Sequence, residues 1–122
     1  MNIEELRDYC LGVKGAVEEM PFGDEYLVYK VCGKMFALIP LDDLEPNVTL
    51  KCHPDLAIDL REKYSCVTPA FHFNKRYWNN IVTNQQMHDE SIKYWINHSV
   101  EEVMKKLSKR IREAYYDTSG SD

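Results

Sequence analysis

Two runs rich in Tyr, Val, Leu, Ile and Phe, residues 25–31 and 34–39, meet at Gly33. A chain that joins such runs across so short a gap is committed to an antiparallel hairpin. The turn chemistry narrows the register. A two-residue loop of Cys32 and Gly33 would force Cys32 to positive φ, which a residue with a Cβ tolerates poorly. The sequence therefore predicts a three-residue loop, Val31-Cys32-Gly33, with Gly33 in the left-handed region. In that register Lys30 faces Lys34, and both ammonium groups leave one face at the hairpin tip. Like charges set opposite each other oppose folding, so the pair asks for a functional reason.

The remaining elements follow from caps and spacing. Asn2 and Glu5 form a capping box, and Ile3, Leu6, Cys10 and Val13 recur at helical spacing, which predicts a helix over 3–13 ending at Gly12 and Gly15. Residues 18–23 read as a connector. Pro40 to Pro46 is a loop and Asn47–Cys52 a third strand. Pro54 opens a helix through Tyr64, with His53 placed to cap it, Leu56, Ala57 and Leu60 inward, and Asp59, Arg61, Glu62 and Lys63 in solvent. A second hairpin runs Val67–Phe73, a turn at Asn74-Lys75-Arg76, then Tyr77–Thr83. Asp89 caps a helix carrying Ile92, Tyr94, Trp95 and Ile96, and Ser99 with Glu102 forms a second capping box that starts a last helix.

The order α-βββ-α-ββ-α-α implies an α+β fold in which helices pack on an antiparallel sheet. A chain of 122 residues suits one domain, 1–117, followed by a polar tail, 118–122, expected to fray.

Composition excludes more than it selects. No apolar run approaches the roughly 18 residues of a membrane helix, and the N-terminal residues lack the order of a signal peptide, so a cytoplasmic protein with no membrane partner is expected. Cys10, Cys32, Cys52 and Cys66 form no C-x-x-C pair, which argues against a zinc knuckle and for reduced, structural thiols. No histidine pair has metal spacing and no Ser/His/Asp order announces a triad. The expectation is a non-enzymatic protein with no catalytic residue, no metal and no cofactor. The acidic groups Glu4-Glu5-Asp8 and Asp42-Asp43-Glu45 are explained by helix-start electrostatics and loop solvation. Lys105, Lys106, Lys109 and Arg110 suit a helix C-terminus.

The net charge of −5 repels nucleic acid at long range, but it is unevenly spread. Residues 1–24 hold six acids and two bases, whereas residues 25–85 hold seven of each. Any basic surface must therefore come from the arrangement of the central lysines. Lys30, Lys34, Lys51 and Lys75 can supply ammonium donors to an anion, Arg76 a planar fork, and Trp78 with Phe73 a stacking platform for a flat ring. His72, expected in a strand, points away from Phe71 and Phe73 and serves as a polar reader beside Asn74.

These residues recur as an ordered set: Pro21-Phe22-Gly23, Lys30-Val31, Gly33-Lys34-Met35-Phe36-Ala37, Leu50-Lys51-Cys52, and Pro69-Ala70 through Asn74-Lys75 to Trp78, with Ser99 further on. The set resembles the MmcQ/YjbR family of small bacterial proteins over nearly the whole chain. The resemblance implies a fold similar to CyaY (bacterial frataxin) and to secretion chaperones, with a double wing of two hairpins and a DNA-binding role. Its contact set would be Lys30, Lys34, Lys51, Lys75 and Trp78, with His72 and Asn74 as neighbours. Iron binding is not carried over, because the first helix offers only Glu4, Glu5 and Asp8. The expected function is a nucleic-acid-binding protein, monomeric or homodimeric, using lysine- and aromatic-bearing hairpins. The alternatives are a chaperone-like module for a protein partner and a binder of a small anionic ligand.

Overall fold

Strand alternation divides the molecule into a helix-covered face and a second face. The computed structural model describes residues 1–117, so the tail expected at 118–122 lies outside the described residues. Its strands are β1 (Val17–Glu19), β2 (Tyr26–Val31), β3 (Lys34–Pro40), β4 (Asn47–Lys51), β5 (Val67–Pro69) and β6 (Trp78–Val82). Its helices are α1 (Ile3–Leu11), α2 (Pro54–Lys63), α3 (Asp89–Lys105) and α4 (Lys109–Tyr116). The strands form one antiparallel sheet in the order β1-β2-β3-β4-β6-β5. This is the expected α+β class, with one strand more than expected.

Leu27, Tyr29, Ile39, Val48, Leu50 and Ile81 project to one face and join Leu6 and Cys10 of α1 and Ile92, Ile96, Val103 and Met104 of α3 in a single core. Each large apolar side chain so buried contributes about 1.5–3 kcal/mol. Ala57 and Leu60 add the inner side of α2. The alternate residues, paired as Tyr26 with Pro40, Val28 with Leu38 and Thr49 with Asn80, form the second face.

The expected caps of the first two helices are present. The Asn2 side chain accepts from the Glu5 amide at 2.8 Å while the Glu5 carboxylate accepts from the Asn2 amide at 3.0 Å. His53 Nδ1 accepts from the Asp55 amide at 3.2 Å.

The first hairpin differs from expectation. Cys32 and Gly33 both adopt positive φ, 50° and 79°, and Val31 faces Lys34, so the loop has two residues and Lys30 faces Met35. Lys30 and Lys34 therefore leave opposite faces. The register explains the strained Cys32: Tyr29 faces Ala37 and Lys30 faces Met35, which leaves Phe36 as an extra residue in β3. This bulge puts both Phe36 and Ala37 in the core, both fully buried. Burial of the Phe36 ring outweighs the cost of one non-glycine residue in the left-handed region, which is of order 1–3 kcal/mol.

The expected connector contains β1. Glu18 faces Tyr29 and its carboxylate accepts the tyrosine O–H at 2.7 Å and the Arg7 fork at 2.8 and 3.0 Å. The Arg7 hydrogen bonds hold the Glu18 carboxyl below its usual range. Three residues suffice for a strand because this network ties the edge to α1.

The largest departure is at Ser99. It does not start a helix. It lies in the interior of α3, fully buried, and the last helix is capped instead by Ser108, whose hydroxyl accepts from the Ile111 amide at 3.3 Å. The apolar stripe of Ile92, Ile96, Val100 and Val103 runs straight through the capping-box pattern and keeps α3 continuous. The Ser99 hydroxyl finds its partners in the sheet. Pairing of β3 with β4 stops at Ala37–Leu50. At the next position Ser99 Oγ donates to the Phe36 carbonyl at 2.6 Å and accepts from the Lys51 amide at 2.9 Å.

Ser99→Ala is expected to leave that carbonyl and amide unpaired in a buried setting and to lower stability by about 2 kcal/mol. The check is a reduced urea midpoint with an unchanged slope; an unaltered midpoint would contradict the bridging role.

Candidate binding site

The lysines expected to act together are distributed over the sheet. Lys30 is ion-paired with Glu19 of β1 at 2.9 Å. Lys34 is exposed at the hairpin tip, on the face opposite to Lys30. Lys51 stands across from Trp78 at the ends of β4 and β6. Partial burial pushes its ammonium below the ordinary lysine value, with Lys106 repelling it and Glu102 opposing that effect. Lys75 lies over the Phe71 ring at 5.0 Å, and Arg76 over Tyr77 at 5.6 Å. The structure thus brings Lys51, Lys75, Arg76, Phe73 and Trp78 to one end of the sheet and leaves Lys30 and Lys34 on another hairpin.

The second hairpin is less regular than its sequence suggests. Strand pairing is confined to 67–69 with 79–81, and residues 70–77 form a loop. His72 is therefore not in a strand, and it faces the same cavity as Phe71 and Phe73. Asn74 is engaged within its own turn, where its side chain accepts from the Arg76 amide at 3.0 Å and its carbonyl accepts from the Tyr77 and Trp78 amides. Phe73 packs on Trp78 with centroids 5.3 Å apart. Arg61, expected in solvent, holds the loop. Its Nε donates to the buried Asn79 side chain at 2.7 Å, and its Nη2 donates to the Lys75 carbonyl. Asn79 in turn donates to the Ala57 carbonyl at 3.2 Å, so α2, β6 and the loop share one polar link.

A cavity of about 960 Å³ occupies the second face. Its floor comes from Tyr26, Leu38, Thr49, Asn80 and Val82 on five-residue and longer strands. Three loops wall it, each contributing an apolar side chain that has no cover of its own: Phe22 is 63% exposed, Leu44 104% and Phe71 70%. Between floor and wall runs a hydrogen-bonded chain. Asn80 Nδ2 donates to Asn47 Oδ1 at 2.6 Å and to Thr49 Oγ1 at 3.3 Å; Asn47 Nδ2 donates to Asp43 Oδ2 at 2.9 Å and to the Glu45 carbonyl at 3.0 Å. The titratable groups on the lining include Asp43, Glu45 and His72. None of the four lysines lines it.

The framework matches a known family. The family model YjbR matches residues 11–101. The chain belongs to the YjbR family. The Escherichia coli protein YjbR, itself described as uncharacterised, is 30% identical over 112 residues, covering 92% of this chain and 95% of its own. The uncharacterised Escherichia coli protein YbdF is 30% identical over 90 residues, 74% of each chain. Among solved structures, that of a Deinococcus radiodurans protein with the family-model domain DUF419 superposes with a TM-score of 0.86 at 28% identity, covering 93% of this chain and 87% of that one. A crystal structure from Pseudomonas syringae gives a TM-score of 0.71 at 25% identity over 81% of this chain and 96% of that one. The residues of this YjbR-family chain that sequence reasoning passed over are Phe22 as a cavity wall, Leu44, Arg61 and the Asn47–Asn80 pair. Leu44 carried a signal, a large apolar residue flanked by Asp43 and Glu45 in an acidic, proline-bounded loop. Arg61 carried none.

Arg61→Lys is expected to lose the two-pronged link, because an ammonium cannot span Asn79 and the Lys75 carbonyl as the fork does. A stability loss of about 1–2 kcal/mol, with faster proteolytic cleavage within residues 70–77, is the expected result. Unchanged cleavage would show that the loop holds itself.

Proposed function

We propose that this YjbR-family protein is a binding module, not a catalyst, whose working surface is the cavity on the second face of its sheet. The observation that carries the reading is the uncovered trio Phe22, Leu44 and Phe71 around a concave floor. Apolar side chains exposed this fully on three separate loops, all facing one volume, mark a place where something apolar is received. The polar groups of the floor are amides and a hydroxyl already fixed to one another, which suits orientation of a ligand. The cavity volume falls within the range typical of small-ligand sites, roughly 300–1,000 Å³.

The nucleic-acid reading rests on a different patch. The Phe73–Trp78 pair, flanked by Lys51, Lys75 and Arg76, combines rings with cations at one end of the sheet, as single-strand binding requires. Its support is weaker, since Lys30 is neutralised by Glu19 and the net charge is −5.

One pair of titrations separates the two. The neutral apolar dye Nile red is expected to bind the native protein saturably, and Leu44→Asp or Phe71→Asp to abolish binding without altering the far-ultraviolet dichroism. A labelled single-stranded oligonucleotide at low salt is the other arm. Dye binding that ignores the loop substitutions overturns the cavity reading. Oligonucleotide binding that falls steeply with salt and is lost in Lys75→Glu with Arg76→Glu would favour the second patch.

A further inference from the structure

The hydrogen bonds beneath the cavity have a direction. An amide NH2 group offers two N–H donors, and both donors of Asn80 are satisfied by Asn47 and Thr49, while both donors of Asn47 are satisfied by Asp43 and the Glu45 carbonyl. The chain therefore runs from Asn80 through Asn47 and ends on a carboxylate. Glu45 beside it already accepts from Gln85 through one oxygen, at 2.9 Å. What these amides and carboxylates still present to an incoming molecule is acceptor capacity, together with negative charge from Asp43 and Glu45. Among the described residues that line the cavity, none is Lys or Arg. Around the same volume stand the rings of Phe22, Tyr26 and Phe73, whose faces attract cations as well as apolar groups, and that of Phe71, over which Lys75 already lies.

We infer that the cavity selects a small amphiphilic cation: an aromatic or aliphatic body held among the rings and a protonated amine directed at Asp43 and Glu45. This rests on the cavity being the working surface, and goes beyond it by fixing the sign and polarity of the ligand. An anion, the ligand class first expected from the lysines, would meet two carboxylates and no free amide donor from Asn47 or Asn80. The amine supplies donors that the Asn47 and Asn80 amides, already engaged, do not offer. The protein's overall charge of −5 draws cations toward it from a distance.

The test uses three probes of one body and different heads: phenylbutylamine, phenylbutanol and phenylbutyrate, each titrated into the full chain at physiological ionic strength. The readout is the two-dimensional amide spectrum, including the side-chain amides of Asn47 and Asn80. The amine is expected to bind about tenfold more tightly than the alcohol, the gain typical of a charge-assisted hydrogen bond, and the carboxylate more weakly than either. Asp43→Asn with Glu45→Gln keeps acceptors for Asn47 and Gln85 but removes the charge, so the amine's advantage over the alcohol should collapse. Equal binding of all three heads, or tighter binding of the carboxylate, overturns the inference while leaving the cavity reading standing. An amine preference that survives the double substitution overturns the assignment to these carboxylates. No binding of any probe to natively folded protein overturns the inference and the cavity reading together.

Discussion

A buried serine hydroxyl completes the sheet where its own ladder fails. The bulge at Phe36 ends the pairing between β3 and β4, and the hydroxyl of Ser99 occupies the missing rung, donating to Phe36 and accepting from Lys51. A hydroxyl can do both at once, which an apolar side chain cannot and which an amide could do only with more volume. The arrangement makes α3 a structural part of the sheet as well as a lid on its core. It also sets the position of Lys51, and with it Trp78 across the ladder.

The face turned away from α3 receives three loops over its strands, those bearing Phe22, Leu44 and Phe71. The two faces thus play different roles with one set of strands. Residues such as Tyr29, Ala37 and Leu50 join the core under the helices, whereas Tyr26, Leu38, Thr49 and Asn80 form the floor of the cavity. On the proposed reading, a recognition surface set on the sheet has a rigid floor, while the loops supply adaptable walls.

Much of this was legible in the chain. The two strands of the first hairpin, the capping box at Asn2 and the Pro54 helix start carried local signals that the structure bears out, and the family model bears out the family. What failed did so for tertiary reasons. The Ser99-x-x-Glu102 pattern is a valid helix start in isolation, but the apolar stripe of α3 and the gap in the sheet both claim Ser99, and neither is visible locally. The Cys32–Gly33 turn looked strained, and it is, because burying Phe36 and Ala37 together demands the shorter loop. Of the residues singled out for binding, Asn74 is taken up by its own turn and Lys30 by Glu19. The cavity escaped notice because its walls come from three loops far apart in sequence, and only the fold brings them to one face of the sheet.

Native-state hydrogen exchange at the Lys51 amide tests the central claim most directly. That amide lies at a strand end with no β3 partner, and it should exchange freely unless the Ser99 hydroxyl holds it. The account predicts protection comparable to that of the Leu50 amide in the native protein. In Ser99→Ala it predicts selective loss of that protection, extending to Thr49 and Asn80 on the cavity floor. A Lys51 amide that exchanges as a free strand end in the native protein would contradict it.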